Sequence, residues 1–285
     1  MKKRDIPFVK FHGLGNDWLV VRAADVPRDS GEFSRRILDR HTGVGGDGLI
    51  VAMKADAKGH DGRVRFWNAD GSEAEMSGNG IRCAAAFLLA EKKQKHSLKI
   101  ETAAGTKSVE CRNSAANQWI FRVDMGSPIL EPAKIPFHPA DAPSPVLRFP
   151  LPTSSGELPV TVTSMGNPHC SVLAAGFEQL DWQKLGREIE RNEHFPNRTN
   201  VEFVRLVSKE EIEVRFWERG VGHTMSSGTG SCAATAAVIL NGLTERRVRV
   251  RTEAGILEVE WPEGGSAFLT GAVERVMRGA YCGRT

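Results

Sequence analysis

The sequence predicts an α+β protein of two pseudo-symmetric domains, each an antiparallel β-sheet or barrel wrapped round one central α-helix. Two observations carry that prediction. One stretch is present twice. Val64-Arg65-Phe66-Trp67 is followed by Ser77-Gly78-Asn79-Gly80 and an Ala-rich run, and Val214-Arg215-Phe216-Trp217 by Ser227-Gly228-Thr229-Gly230 and a second Ala-rich run. Corresponding residues lie 150 positions apart, a spacing that Thr102-Ala103-Ala104-Gly105 keeps to Thr252-Glu253-Ala254-Gly255. Chance similarity would not hold that register through so many residues. Both Ala-rich runs are also apolar nearly all round, the pattern of a helix buried on every side, while most of the remaining chain alternates like strands.

Taken in order, Phe8-Val9-Lys10-Phe11 and Trp18-Leu19-Val20-Val21 read as strands joined by the turn His12-Gly13-Leu14-Gly15-Asn16-Asp17. Residues 30–40 read as a helix with Ser30 as its cap. Gly43-Val44-Gly45-Gly46-Asp47-Gly48 matches G-x-G-x-x-G, but it follows a helix and leads into the strand-like Leu49-Ile50-Val51. The dinucleotide fingerprint requires the opposite order, so this segment reads as a glycine-rich loop shaping a turn or a site. The first Ala-rich helix runs from Ile81 to Ala90, with Lys92 and Lys93 suiting its C-terminal end. Residues 98–111 read as strand, turn and strand, and Trp119–Val123 as a further strand. The Pro-rich stretch 128–152 reads as connection.

In the second half, Val160-Thr161-Val162 and Cys170-Ser171-Val172-Leu173 are strand-like, flanking Gly166-Asn167-Pro168-His169. Residues 178–192 read as an amphipathic helix. Strands are expected from Asn200 to Val204 and over 211–217, 246–252, 256–261 and 267–277, with the second central helix closed by Asn241-Gly242. The expected domains are 1–127, which 273–285 can complete, and 128–272.

A chain of 285 residues with net charge +3 and interspersed charges carries no footprint for nucleic acid or a membrane surface. The basic start Met1-Lys2-Lys3-Arg4 is followed by no apolar core of a secretory signal. Five cysteines without CxxC spacing argue against a disulfide framework or zinc site and fit a reducing cytoplasm.

His12-Gly-Leu-Gly-Asn16-Asp17, Gly45-Gly-Asp-Gly48, Asn68-Ala-Asp-Gly-Ser72-Glu, Gly78-Asn-Gly80, Gly166-Asn-Pro-His169, Asn200-Val and Glu218-Arg-Gly220 together resemble diaminopimelate epimerase, in the right order over nearly the whole chain. The resemblance implies the fold inferred above and the interconversion of LL- and meso-diaminopimelate on the route to lysine and peptidoglycan, without pyridoxal phosphate, other cofactor or metal, in a cytoplasmic homodimer. Inverting a stereocentre by proton transfer needs a base on one face of Cα and an acid on the other, and one group from each repeat would supply them. By resemblance, Asn16, Asn68, Asn167, Asn200 and Arg219 hold the substrate's polar ends. The backbone at Gly78-Asn79 and Gly228-Thr229 faces its carboxylate at two helix N-termini, and His169 and Glu218 sit beside the acid/base pair. Asp70 and Glu73 read as loop or capping residues.

One departure bears on the chemistry. The family has a Cys just ahead of each Gly-x-Gly, and this chain has Ser77 and Ser227. Cys83 and Cys232 lie further along the helices, where they read as packing residues. His223 stands where the family usually has an acidic residue. A thiol is far more readily ionised than a serine hydroxyl. Three readings stay open: serines that trap a substrate complex, an isomerase of this or another substrate in which His169, Glu218 or His223 carries protons, and a catalytically silent amino-acid-binding protein.

Overall fold

The computed structural model describes residues 5–91, 95–139, 142–178 and 180–283. The basic start at residues 1–4, the expected Lys92-Lys93 helix end and Gln179 of the expected 178–192 helix lie outside them. The chain forms two compact units, Met1–Asp124 with Thr270–Thr285, and Met125–Leu269. These boundaries fall three residues ahead of the expected 127/128 and 272/273. Two continuous strands, rather than the glycine and proline signals near Gly126-Ser127-Pro128, carry the chain from one unit to the other.

In the first unit, β1 (Ile6–Gly13) and β2 (Asn16–Arg22) form a hairpin through Leu14-Gly15, both at positive φ. That geometry suits the twist of paired strands and is tolerated by glycine at the second position. Helix α1 (Ser30–Leu38) then crosses to β3 (Gly48–Met53), parallel to β2, and buries Phe33, Ile37 and Leu38. Its cap is Asp29, whose side chain accepts from Glu32 N, rather than the expected Ser30. Either residue type can cap, and the chain places the aspartate in the extended conformation that capping needs.

Strand β4 (Gly62–Asn68) returns antiparallel to β3, short β5 (Glu73–Ala74) folds back on it, and α2 (Gly78–Glu91) crosses to β6 (Ser97–Thr102), parallel to β4. Then β7 (Gly105–Ala115), β8 (Gln118–Gly126) and, from the far end of the chain, β17 (Ala267–Tyr281) complete the unit. The pairings run β1–β2–β3–β4–β6–β7–β8–β17–β1, so the sheet closes into an eight-stranded barrel. Helix α2 packs against β1, β2, β3, β4 and β6, and Ile81, Cys83, Ala84, Ala85, Ala86, Leu88 and Leu89 are all buried. An apolar circumference is what that surrounding wall requires.

The second unit follows the same plan. Strand β9 (Val146–Thr153) pairs with β10 (Gly156–Ser164), which forms a hairpin with β11 (Pro168–Leu173). Helix α3 (Trp182–Glu190), capped by Asp181, crosses to β12 (Asn200–Ser208), parallel to β11. Strand β13 (Glu211–Glu218) returns antiparallel, β14 (Gly222–Thr224) folds back on it, and α4 (Gly228–Leu240) crosses to β15 (Arg247–Thr252), parallel to β13, followed by β16 (Gly255–Glu260). The antiparallel order of each unit is thus broken twice, each time where a helix crosses between neighbouring strands, the connection that parallel pairing requires.

The register itself repeats. Gly62 opposes Ile100 and Ile212 opposes Val250; Phe66 opposes Ala74 and Phe216 opposes Thr224; Leu98 opposes Val109 and Val248 opposes Val259. Strand β9 departs from the expected connection over 128–152, with Ile135, Phe137, Val146 and Leu151 buried in the core of the second unit. Pro150 and Pro152, which cannot donate to a ladder, hide a strand whose other residues alternate.

Candidate active site

Each central helix opens on a serine. In the first unit, Ser77 Oγ accepts from Gly80 N at 3.0 Å and its carbonyl accepts from Ile81 N at 2.8 Å. In the second, Ser227 Oγ accepts from Gly230 N at 3.2 Å and its carbonyl from Ser231 N at 3.0 Å. Both serines are therefore helix N-caps, with the free first-turn N–H groups of Gly78-Asn79 and Gly228-Thr229 beside them. The helices approach the sheet closely because positions 80 and 230 are glycines. A Cβ on either would come within 2.9 Å of the ring of Phe66 or of Phe216.

Buried Arg82 donates to Gly78 O at 3.0 Å and to Asn79 Oδ1 at 2.6 Å, which holds the Asn79 amide at the helix mouth. The β1–β2 hairpin abuts that mouth: a Cβ on Gly13 would lie 3.2 Å from the Arg82 guanidinium and 3.6 Å from Asn79 Cβ. Asn16, paired across the hairpin with Gly13, donates from Nδ2 to Asp47 Oδ2 at 2.9 Å and accepts from Trp18 Nε1 at 2.5 Å. Asn68 ends β4 and donates to Ser72 Oγ at 3.0 Å. Asp70 accepts from Ser72 N and Oγ, closing the turn after β4, and Glu73 is ion-paired with Arg65.

The second unit brings its expected residues into one cluster. His169, Asn200 and Glu218 stand on β11, β12 and β13, with His169 directly opposite Asn200. The His169 ring is fully buried, with Nδ1 2.6 Å from Glu202 Oε1 and Nε2 3.0 Å from Asn167 Oδ1. Asn200 donates to Pro168 O at 2.9 Å and accepts Arg219 N at 3.0 Å, which sets the start of the Arg219 loop. The Arg219 guanidinium reaches Asn197 O at 3.2 Å and is otherwise exposed. Ser227 Oγ donates to Glu218 Oε1 at 2.6 Å.

Burial pushes the Glu218 carboxyl above the usual 4.5. The hydrogen bond from Ser227, the neighbouring Thr224 hydroxyl and the nearby His169 ring pull it back, while Glu202 adds to the rise. A carboxyl so raised is nearer to exchanging protons at neutral pH than an exposed glutamate.

Sequence reasoning missed Glu202, Asp47 and Arg82. Glu202 lies 33 positions from its partner His169, a pairing that no local pattern announces. The cysteines are not placed as acids or bases. Cys83 and Cys232 are buried in the helices, and burial pushes the Cys83 thiol up to about 12. His223 pairs through Nε2 with Glu253 at 2.6 Å and packs edge-on against Trp182. Among the described residues, no group of His, Cys, Asp and Glu is arranged to hold a metal ion, and no helix is long and apolar enough to cross a membrane.

The sequence matches the family model described as Diaminopimelate epimerase over residues 8–131 and 161–276. It is 43% identical to a diaminopimelate epimerase of Pelotomaculum thermopropionicum, covering 98% of this chain and 99% of that one. It is 40% identical to one of Halothermothrix orenii, covering 96% and 97%. In structure it is similar to a hydroxyproline epimerase from Agrobacterium vitis crystallised with trans-4-hydroxy-L-proline, with a TM-score of 0.69 at 16% identity over 98% of this chain and 93% of that one. At that identity the likeness is one of fold.

Proposed function

The chain belongs to the diaminopimelate epimerase family, and from that premise we propose that it interconverts LL- and meso-2,6-diaminopimelate, without a cofactor, in lysine and peptidoglycan precursor biosynthesis. The observation that carries this reading is Ser227 Oγ donating to Glu218 at 2.6 Å beside the free N–H groups of Gly228 and Thr229. As a proton leaves the substrate Cα for Ser227 Oγ, the serine's own proton passes to the Glu218 carboxylate, so no free alkoxide forms. Negative charge developing on the substrate's α-carboxylate is met by backbone N–H groups at a helix mouth, those of Gly228 and Thr229 at α4 in the second unit.

The family resemblance assigns the second proton-transfer group to the Ser77 hydroxyl of the first unit, while His169 stands in the second unit beside Glu202 and Asn167. Asn16, Asn68, Asn79, Asn167, Asn200 and Arg219 bind the polar ends, Arg219 being the natural partner of a carboxylate. The shared register of the two units supports an origin by duplication, each copy supplying one proton-transfer group. A cytoplasmic homodimer accompanies this reading, and sedimentation of the purified chain tests the dimer.

One observation favours a second reading, a non-catalytic amino-acid-binding protein: Ser77 and Ser227 each commit a hydroxyl lone pair to capping a helix. Chiral chromatography of LL-diaminopimelate incubated with the chain separates the two. Formation of the meso isomer that Glu218→Gln abolishes supports the isomerase, and saturable binding without conversion, also in Ser77→Cys/Ser227→Cys, supports the binder.

A further inference from the structure

The glycine-rich segment before β3 finds its use in the first unit's substrate amide. Asp47 accepts from Asn16 Nδ2 at 2.9 Å and from Asp17 N at 3.0 Å through one oxygen, and from Arg40 at 2.7 Å through the other. Asp47 N in turn donates to Asp17 O at 2.8 Å, and Arg40 bridges Asp17 and Asp47. Lys10 ties Asp17 to Gly45 O. Two carboxylates and two cations make this support neutral, so it adds direction rather than charge.

The direction is fixed by chemistry. An indole N–H can only donate and a carboxylate can only accept. Asn16 Oδ1 must therefore face Trp18 and its amide nitrogen must face Asp47. One N–H and one lone pair of Asn16 are left for a ligand, a donor and an acceptor side by side, the complement of an amino-acid zwitterion.

The glycines are what let the segment deliver this. Gly45 sits at φ +80°, a Cβ on Gly46 would press on Leu38 at 3.1 Å, and one on Gly48 would meet the Trp18 ring at 2.2 Å. Any side chain at position 48 would displace the indole that fixes Asn16.

We propose that Asp47 is a positioning residue that orients the Asn16 amide for an amino-acid ligand. The proposal rests on the reading that Asn16 contacts substrate. In Asp47→Asn one of the two acceptor oxygens becomes a donor NH2, so Asn16 and Arg40 can no longer be held through separate oxygens and the support is broken at near-constant size.

Two readouts test it. In the ligand-free chain, the Asn16 side-chain ¹⁵N–¹H₂ signals, assigned by their loss in Asn16→Ala, shift on Asp47→Asn; unchanged signals overturn the proposal. In calorimetric titration with LL-diaminopimelate, Asp47→Asn weakens binding about tenfold in the parent chain, the size of one mis-set hydrogen bond, and less than about twofold in the Asn16→Ala background. Equal losses in both backgrounds mean a merely structural Asp47 and overturn the proposal while leaving the substrate reading intact. If the parent does not bind but the Asn16 signals respond, the orienting role stands and the substrate reading falls.

Discussion

Ser227 serves two structural ends with one hydroxyl, capping α4 through its lone pair and holding Glu218 through its proton. Ser227→Ala removes both. Loss of the cap costs about 1 kcal/mol, and loss of the hydrogen bond leaves the Glu218 carboxyl higher still, since Ser227 is the foremost of the groups that lower it. The sign follows from linkage: a carboxyl raised in the folded state contributes stability that is full below its ordinary value of 4.5 and is lost as pH rises through the folded value. The stability gap between parent and Ser227→Ala should therefore widen from about pH 4 to about pH 8, as followed by thermal unfolding. A gap independent of pH would leave Ser227 only a cap. At this scale the sequence displayed motifs but not partners. Ser77 and Ser227 could be read as site residues from their place before Gly-x-Gly, but that each also caps its helix, or that Glu202 backs His169, depends on contacts that only folding creates.

At the scale of elements, propensity and packing disagree about the helix mouths. In an exposed helix, Gly→Ala gains about 1 kcal/mol. At Gly230 the added Cβ would stand 2.9 Å from Phe216 and 3.0 Å from Glu202 Oε1, and overpacking of that kind costs about 1–3 kcal/mol. Packing should win, so Gly230→Ala lowers the denaturation midpoint and disturbs the His169–Glu202 pair. An unchanged or raised midpoint would mean that α4 can slide from the sheet. The C-terminal end of α4 shows the opposite case, where sequence sufficed: Asn241-Gly242 closes it, with Gly242 at φ +71°, Leu243 N bonded to Val238 O and Gly242 N to Ile239 O, the Schellman arrangement. Most strands were equally legible from their alternation. Strand β9 was not, because Pro150 and Pro152 look like turn residues, and the Asp29 cap was not, because Asp29 and Ser30 are both good caps and only backbone conformation chooses between them.

At the scale of the molecule, the constant spacing of 150 residues made the two-unit plan readable before any coordinates, since equal spacing fixes equal register. The sequence let 273–285 be added to the first unit, but it did not show the pairing of β17 with both β1 and β8 that closes the barrel. Removing residues 270–285 takes away the partner of β1 over Ile6–His12 and should melt the first unit well before the second, seen as two separated transitions in calorimetry. A single unshifted transition would deny β17 that role.

The central claim, that this scaffold inverts a diaminopimelate Cα, is tested most directly by NMR of LL-diaminopimelate in D2O with the chain and with Ser77→Cys/Ser227→Cys. The account predicts solvent deuterium at Cα, slowly with the serines and faster with the thiols, which ionise more readily. Absence of exchange from both folded proteins would contradict it.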